Sequence, residues 1–250
     1  MANRLLEVCI DSLASARAAI AGGADRLELC SALPLGGLTP YTELLVQIRK
    51  ESNIKIRCLM RPRAGDFLYA PDEISMMASQ IHTLKEAGAD GFVIGCLTPQ
   101  GELDVDAMRP LIEAADGAAL TLHRCIDVSR DPVSTYLQAK ELGFDTVLTS
   151  GAAGRCMAGL ETLRKLLELR DLHNGPEVLI GAGVSPRNIR TLLTELPNAR
   201  AFHASCKTLV ESAMEFRRDE VPMGLPGFDE WHIQQTDEVQ VRTLRQELNA

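Results

Sequence analysis

The sequence has no basic block, no long apolar run and no Cys-x-x-Cys, and each absence closes off a class of function. Its 250 residues carry a net charge of −8, spread along the chain. Without a run of Lys and Arg there is no electrostatic footprint for nucleic acid. No apolar stretch approaches the roughly 20 residues that cross a bilayer, so no membrane partner is expected. The opening Met1-Ala2-Asn3-Arg4 leads straight into a strand-like run. No signal peptide is read there, and a cytoplasmic location is expected. Seven scattered cysteines, an odd number, argue against a disulfide framework and for a reducing compartment. Without Cys-x-x-Cys, neither a zinc ribbon nor a thioredoxin site is suggested. A Gly-x-Gly-x-x-Gly turn is also missing after the first strand, where Asp11-Ser12-Leu13 stands. That weakens an open, doubly wound dinucleotide-binding sheet. Nor is there a linker or low-complexity segment, so residues 1–250 are read as one domain.

What is present is organised around Glu7 to Pro40. Glu7-Val8-Cys9 returns 21 residues later as Glu28-Leu29-Cys30, with an alanine-rich helix between. Alternate strand residues share a face. Glu7, Cys9 and Asp11 therefore lie together, as do Glu28 and Cys30. If the strands are parallel neighbours at matching height, two carboxylates and two thiols converge. An offset of two residues would instead part the sulfurs by about 7 Å along the strand, too far for one ion.

The strand-helix alternation continues. Strands are predicted at 5–11, 26–31, 55–61, 91–97, 119–126, 146–150, 177–182 and 200–205. Helices fall at 12–21, 40–51, 72–87, 104–115, 132–142, 160–170 and 186–196. Glycine marks three helix ends, at Gly22-Gly23, Gly88 and Gly143, where a left-handed cap costs little. Pro40, Pro132 and Pro186 stand near helix starts. Eight strands alternating with helices give an α/β fold, a single (β/α)8 TIM-like barrel. Its core spans residues 1–206. The rest, 207–250, reads as an irregular segment, with Pro222, Gly224, Pro226, Gly227 and Trp231, and then a closing helix from about Thr236 to Leu248.

In such barrels chemistry sits at the C-terminal strand ends. There the sequence places Cys9 and Asp11, Glu28 and Cys30, Arg61 with Arg63 and Asp66, His123 with Arg124 and Asp127, and His203 with Ser205, Cys206 and Lys207. The turns Thr149-Ser150-Gly151 and Gly181-Ala182-Gly183 precede helices and free backbone N–H groups for an anion. Arg61, Arg63, Ser150, Gly151, Gly181, Gly183, Ser205 and Lys207 are thus anion-pocket candidates. Glu28, His123, Asp127 and His203 are acid/base candidates. Cys9 and Cys30 are metal candidates, since two thiolates suit monovalent copper. Cys58, Cys96 and Cys125 read as small buried residues. His82 and His173 read as solvated helix residues, and Glu7 and Glu28 equally suit structural salt bridges to Arg57 or Arg61.

The segments that carry these residues resemble the copper homeostasis protein CutC family. They are Leu6-Glu7-Val8-Cys9-Ile10-Asp11-Ser12, residues 22–31, Gly36-Gly37-Leu38-Thr39-Pro40, residues 60–67, Leu122-His123-Arg124, residues 148–151 and Phe202-His203-Ala204-Ser205. The resemblance implies a TIM-like barrel, a cytoplasmic homo-oligomer such as a homodimer, and Cu(I) on Cys9 and Cys30. It departs at Cys206-Lys207, where the family often has arginine; the charge stays but a bidentate guanidinium contact does not. Two readings follow. In one, a copper-homeostasis protein holds Cu(I) through Cys9 and Cys30. In the other, a barrel enzyme or sensor takes a small anionic metabolite, phosphorylated or carboxylated. Arginine repels a cation, and the arginine, histidine and glycine set is not explained by one soft ion.

Overall fold

Short β-prone runs, alternating with helices, fold as eight parallel strands in sequence order that close on themselves. The strands are β1 (Leu5–Ile10), β2 (Arg26–Leu29), β3 (Lys55–Leu59), β4 (Gly91–Ile94), β5 (Ala119–Leu122), β6 (Thr146–Thr149), β7 (Glu177–Ile180) and β8 (Ala201–Ala204). Around them run α1 (Leu13–Ala21), α2 (Thr42–Glu51), α3 (Pro71–Glu86), α4 (Val105–Ala115), α5 (Pro132–Glu141), α6 (Leu160–His173) and α7 (Ile189–Glu195). The structure, a computed structural model, describes residues 4–221, 223–224 and 229–250. Among these, no helix is long and apolar enough to cross a membrane.

The period of two decides which side chains meet the helices. In β1, Leu6, Val8 and Ile10 join the main core with Leu27, Leu29, Ile56 and Phe92. Their alternates, Glu7 and Cys9, take the other face. Ser12, Asp104 and Asp131 cap their helices by accepting backbone N–H groups, which satisfies donors a helix start leaves orphaned.

One open alternative is resolved and two expectations are corrected. First, β1 and β2 pair with Glu7 opposite Arg26 and Cys9 opposite Glu28. The repeated Glu-x-Cys phrases are therefore offset by two residues, because neighbouring barrel strands shear. Second, β5 stops at Leu122 rather than Ile126. His123 accepts the Cys125 N–H and caps a 3-10 turn over Arg124–Val128. Third, the segment after β8 is not irregular throughout. Lys207–Glu211 (β9) and His232–Thr236 (β10) form an antiparallel ribbon. Of the residues expected between them, Gly224 and Trp231 are described, and the Arg217 guanidinium lies 5.4 Å from the Trp231 ring centre; Pro222, Pro226 and Gly227 lie outside the described residues. The last helix, α8 (Glu238–Asn249), buries Val241, Leu244 and Leu248 against α1 and α7. It comes so close that a Cβ on Gly22 would sit 2.5 Å from Val241 Cβ.

Candidate functional site

A cavity of about 510 Å³ opens at the C-terminal strand ends, lined by Cys9, Glu28, Arg61, His123, Asp127 and His203 among others. One corner is a cluster. A Cys9 thiol, a Glu28 carboxylate oxygen and a His203 ring nitrogen all lie within 4.8 Å of one another. The strands set this up: Cys9 is the register partner of Glu28 on β2, and Glu7, two residues before Cys9, is that of His203 on β8.

Glu7 supports the cluster from below. It is fully buried and ion-paired with Arg26. His203 Nδ1–H donates to Glu7 Oε1 at 2.9 Å. Burial would push the Glu7 carboxyl up, but Arg26 and His203 together outweigh it and bring it down to about 2. With Nδ1 committed, His203 turns Nε2 toward Glu28 Oε2, 3.8 Å away. Glu28 has no arginine within ion-pair distance among the described residues. Burial raises its carboxyl, only partly countered by His203. Burial pulls His203 down, yet Cys9, Glu28 and Glu7 raise it well above an ordinary histidine.

Cys30 stands beside this group rather than in it. Its thiol donates to Glu28 Oε2 at 3.5 Å, and it packs with Cys9, Leu59 and Val93. Burial and the Glu28 charge push its thiol well up. The salt bridges expected from Glu7 to Arg57 or Arg61 do not form. Arg57 goes instead to Asp145, Thr121 and Thr146 at 2.6, 2.5 and 3.0 Å, and Arg61 to the carbonyl oxygens of Leu35, Gly37 and Gly65.

The anion-pocket candidates divide. Arg61, Gly183, Ser205 and Lys207 line the cavity. Arg63 does not; it binds Glu73 at 2.8 Å and Asp66 at 3.1 Å. Gly181 gives its N–H to Thr149 O at 2.9 Å. After β6, Asp127 takes the amides of Ser150 and Ala152 and the hydroxyls of Thr149 and Ser150, at 2.6–3.1 Å. Gly151 N–H goes to Thr149 Oγ1. The donors expected at Ser150 and Gly151 thus serve the protein's own groups. Asp127 binds this turn and Arg124, apart from the Cys9 cluster.

His123 is buried, and burial, aided by the Arg61 charge, lowers its pKa to about 3. Gly95 is required beside it, since a Cβ there would lie 2.6 Å from His123 Cε1. Cys58, Cys96 and Cys125 are buried, as expected, and His82 and His173 are exposed. Two residues were not anticipated. Arg26 shares Glu28's face of β2, a signal present in the alternation. Phe67, whose ring centre lies 5.4 Å from the Arg61 guanidinium and 4.6 Å from the centre of the His123 ring, comes from a loop whose path no local pattern sets.

Among known proteins, residues 4–208 match the CutC family. A CutC family protein of Bacteroides fragilis is 40% identical over 226 residues, 90% of this chain and 88% of its own. The human copper homeostasis protein cutC homolog is 38% identical over 241 residues, 96% of this chain and 87% of its own. The crystal structure of a CutC from Streptococcus agalactiae superposes with a TM-score of 0.76 at 27% identity, covering 81% of this chain and 98% of its own. The 3-hexulose-6-phosphate synthase of Salmonella typhimurium, at 15% identity and a TM-score of 0.58, shares the fold.

Proposed function

The chain belongs to the CutC family of copper homeostasis proteins, and from that premise we propose that it holds one copper ion, as Cu(I), at the mouth of its barrel. The observation that carries this reading is the grouping of Cys9, Glu28 and His203 within 4.8 Å. The donor set fits. Thiolate and imidazole are ligands that copper accepts. The Glu7 carboxylate on Nδ1 fixes the His203 ring so that Nε2 is the ligand atom, the support that metal-bound histidines commonly have. Cys9 and His203 are the principal ligands, with Glu28 alongside. Cys30 enters as the second thiol of the pair, bordering the ion through its contact with Glu28. A cytoplasmic setting is part of the proposal, supported by seven buried cysteines with no disulfide. A homo-oligomer is proposed on the exposed apolar residues Leu209, Phe216 and Ile233 of the C-terminal ribbon segment.

The test is an anaerobic Cu(I) titration of reduced protein against a competing chelator. Wild type binds one equivalent. Cys9→Ser and His203→Gln lose that binding, Cys30→Ser weakens it, and Cys125→Ser leaves it unchanged. Weak binding by wild type, or full binding by Cys9→Ser, would remove the proposal.

A further inference from the structure

The turns at the barrel mouth differ in whether their donors are already taken. After β6, the Ser150 and Ala152 amides go to Asp127. After β7 the turn is held firmly but its donor is left over. Ala182 and Gly183 have φ of 65° and 95°, a left-handed pair that is costly at an alanine. Cys156 N–H donates to Ala182 O at 3.0 Å, and Asn188 Nδ2 donates to Gly183 O at 2.8 Å. The Gly183 N–H meets no acceptor among the described residues. Gly183 is exposed and lines the cavity. Main-chain N–H groups fixed in such a turn suit an anion.

The chain after β8 runs beside this turn. A Cβ at Gly181 would lie 3.6 Å from His203 Cβ, so the two strands end as neighbours. Ser205 and Lys207 follow, both in the cavity wall. The Ser205 carbonyl accepts from the Thr236 hydroxyl at 3.5 Å, while its own hydroxyl has no partner among the described residues. Lys207 Nζ meets only a neutral acceptor, Gln234 Oε1 at 2.9 Å. Arg155 brings a second charge. Its Cδ lies 3.7 Å from where a Gly183 Cβ would stand, and the residue is exposed. Among the described residues, no carboxylate lies within ion-pair distance of Lys207 or Arg155.

We propose that the turns after β7 and β8 bind the phosphate of a small phosphorylated metabolite, its oxygens accepting from the Gly183 N–H, the Ser205 hydroxyl, Lys207 and Arg155. Two cations suit a group that carries about −1.5 to −2 charges at pH 7. Barrels frequently place phosphate after strands 7 and 8; here the unspent donors select the place. The cavity, about 510 Å³, is much larger than a phosphate. The organic part of the ligand occupies the rest, beside the lining residues Leu35 and Val128. The proposal does not rest on copper, and the two fail separately.

The test uses full-length, reduced, chelator-treated, 15N-labelled protein at pH 7.5 and constant ionic strength. Glycerol 3-phosphate and ribose 5-phosphate are titrated in turn, with inorganic phosphate, acetate and chloride beside them. At least one monoester moves the Gly183 amide resonance saturably, with a Kd below that of inorganic phosphate. Lys207→Gln and Arg155→Gln, both changes at exposed side chains, each raise that Kd at least fivefold while the Tm of the free protein stays as in wild type. Responses no larger than those to chloride would overturn the proposal. So would acetate binding as tightly as the monoesters, an unmoved Gly183 amide, inorganic phosphate binding at least as tightly as both monoesters, or wild-type affinity in both variants.

Discussion

Glu7 is the residue on which the Cys9–Glu28–His203 corner turns. It neutralises a buried Arg26 and fixes the His203 ring at once. Removing one member of a buried ion pair leaves the other charge uncompensated, at a cost of about 3–5 kcal/mol. Glu7→Gln is therefore expected to lose that much stability in urea unfolding. It should also weaken Cu(I) binding by about 10–100-fold through loss of the ring's support. His123 makes a prediction of a different kind. Its folded pKa, about 3, lies below the ordinary 6.5. Below pH 6.5 the unfolded chain takes up a proton that the folded chain excludes, so stability is lost as pH falls from 6.5 toward 3. The slope is about 1.4 kcal/mol per pH unit. His123→Asn lacks this term. The stability gap between wild type and variant should accordingly narrow by about 2 kcal/mol between pH 6.5 and 5 in paired urea titrations. A constant gap would show that His123 is not held neutral.

At the scale of elements, the turn after β6 is organised by one carboxylate. Asp127 accepts from Thr149, Ser150 and Ala152 and pairs with Arg124. Asp127→Asn replaces one carboxylate oxygen by an amide that donates. It is expected to cost about 2–3 kcal/mol and to speed hydrogen exchange at the Ser150 and Ala152 amides, read by NMR. Unchanged exchange would contradict this role. These elements were unequally legible in the sequence. The eight strands were readable because each apolar run is short and bounded by turn residues. The end of β5 was not, since His123 caps through its side chain. The β9–β10 ribbon was missed because its strands lie far apart in sequence and β9 is exposed along its length, so no buried alternation marks it.

At the scale of the whole molecule, the barrel's shear decides the chemistry. The repeat of Glu7-Val8-Cys9 at Glu28-Leu29-Cys30 pointed to the right two strands. Register, however, belongs to the closed sheet and not to either strand, and it pairs Cys9 with Glu28 instead of Cys30. Arg26 thereby comes opposite Glu7, and His203 joins from the far side of β1. The ribbon has its consequence at this scale too. Leu209, Phe216 and Ile233 are 60%, 68% and 58% exposed, more apolar surface than a solvated ribbon needs. The wild-type chain is expected to run as a homo-oligomer in light scattering, and Leu209→Glu with Phe216→Glu as a monomer. A wild-type monomer would refute the assembly.

The central claim is that Cu(I) sits on one thiolate and one imidazole. X-ray absorption of the Cu(I)-loaded protein at one equivalent tests it most directly. The account predicts a single sulfur scatterer from Cys9 together with the multiple-scattering signature of the His203 ring, the latter lost in His203→Gln. Two sulfurs and no imidazole would instead place the ion between Cys9 and Cys30, and would contradict the Cys9–His203 assignment.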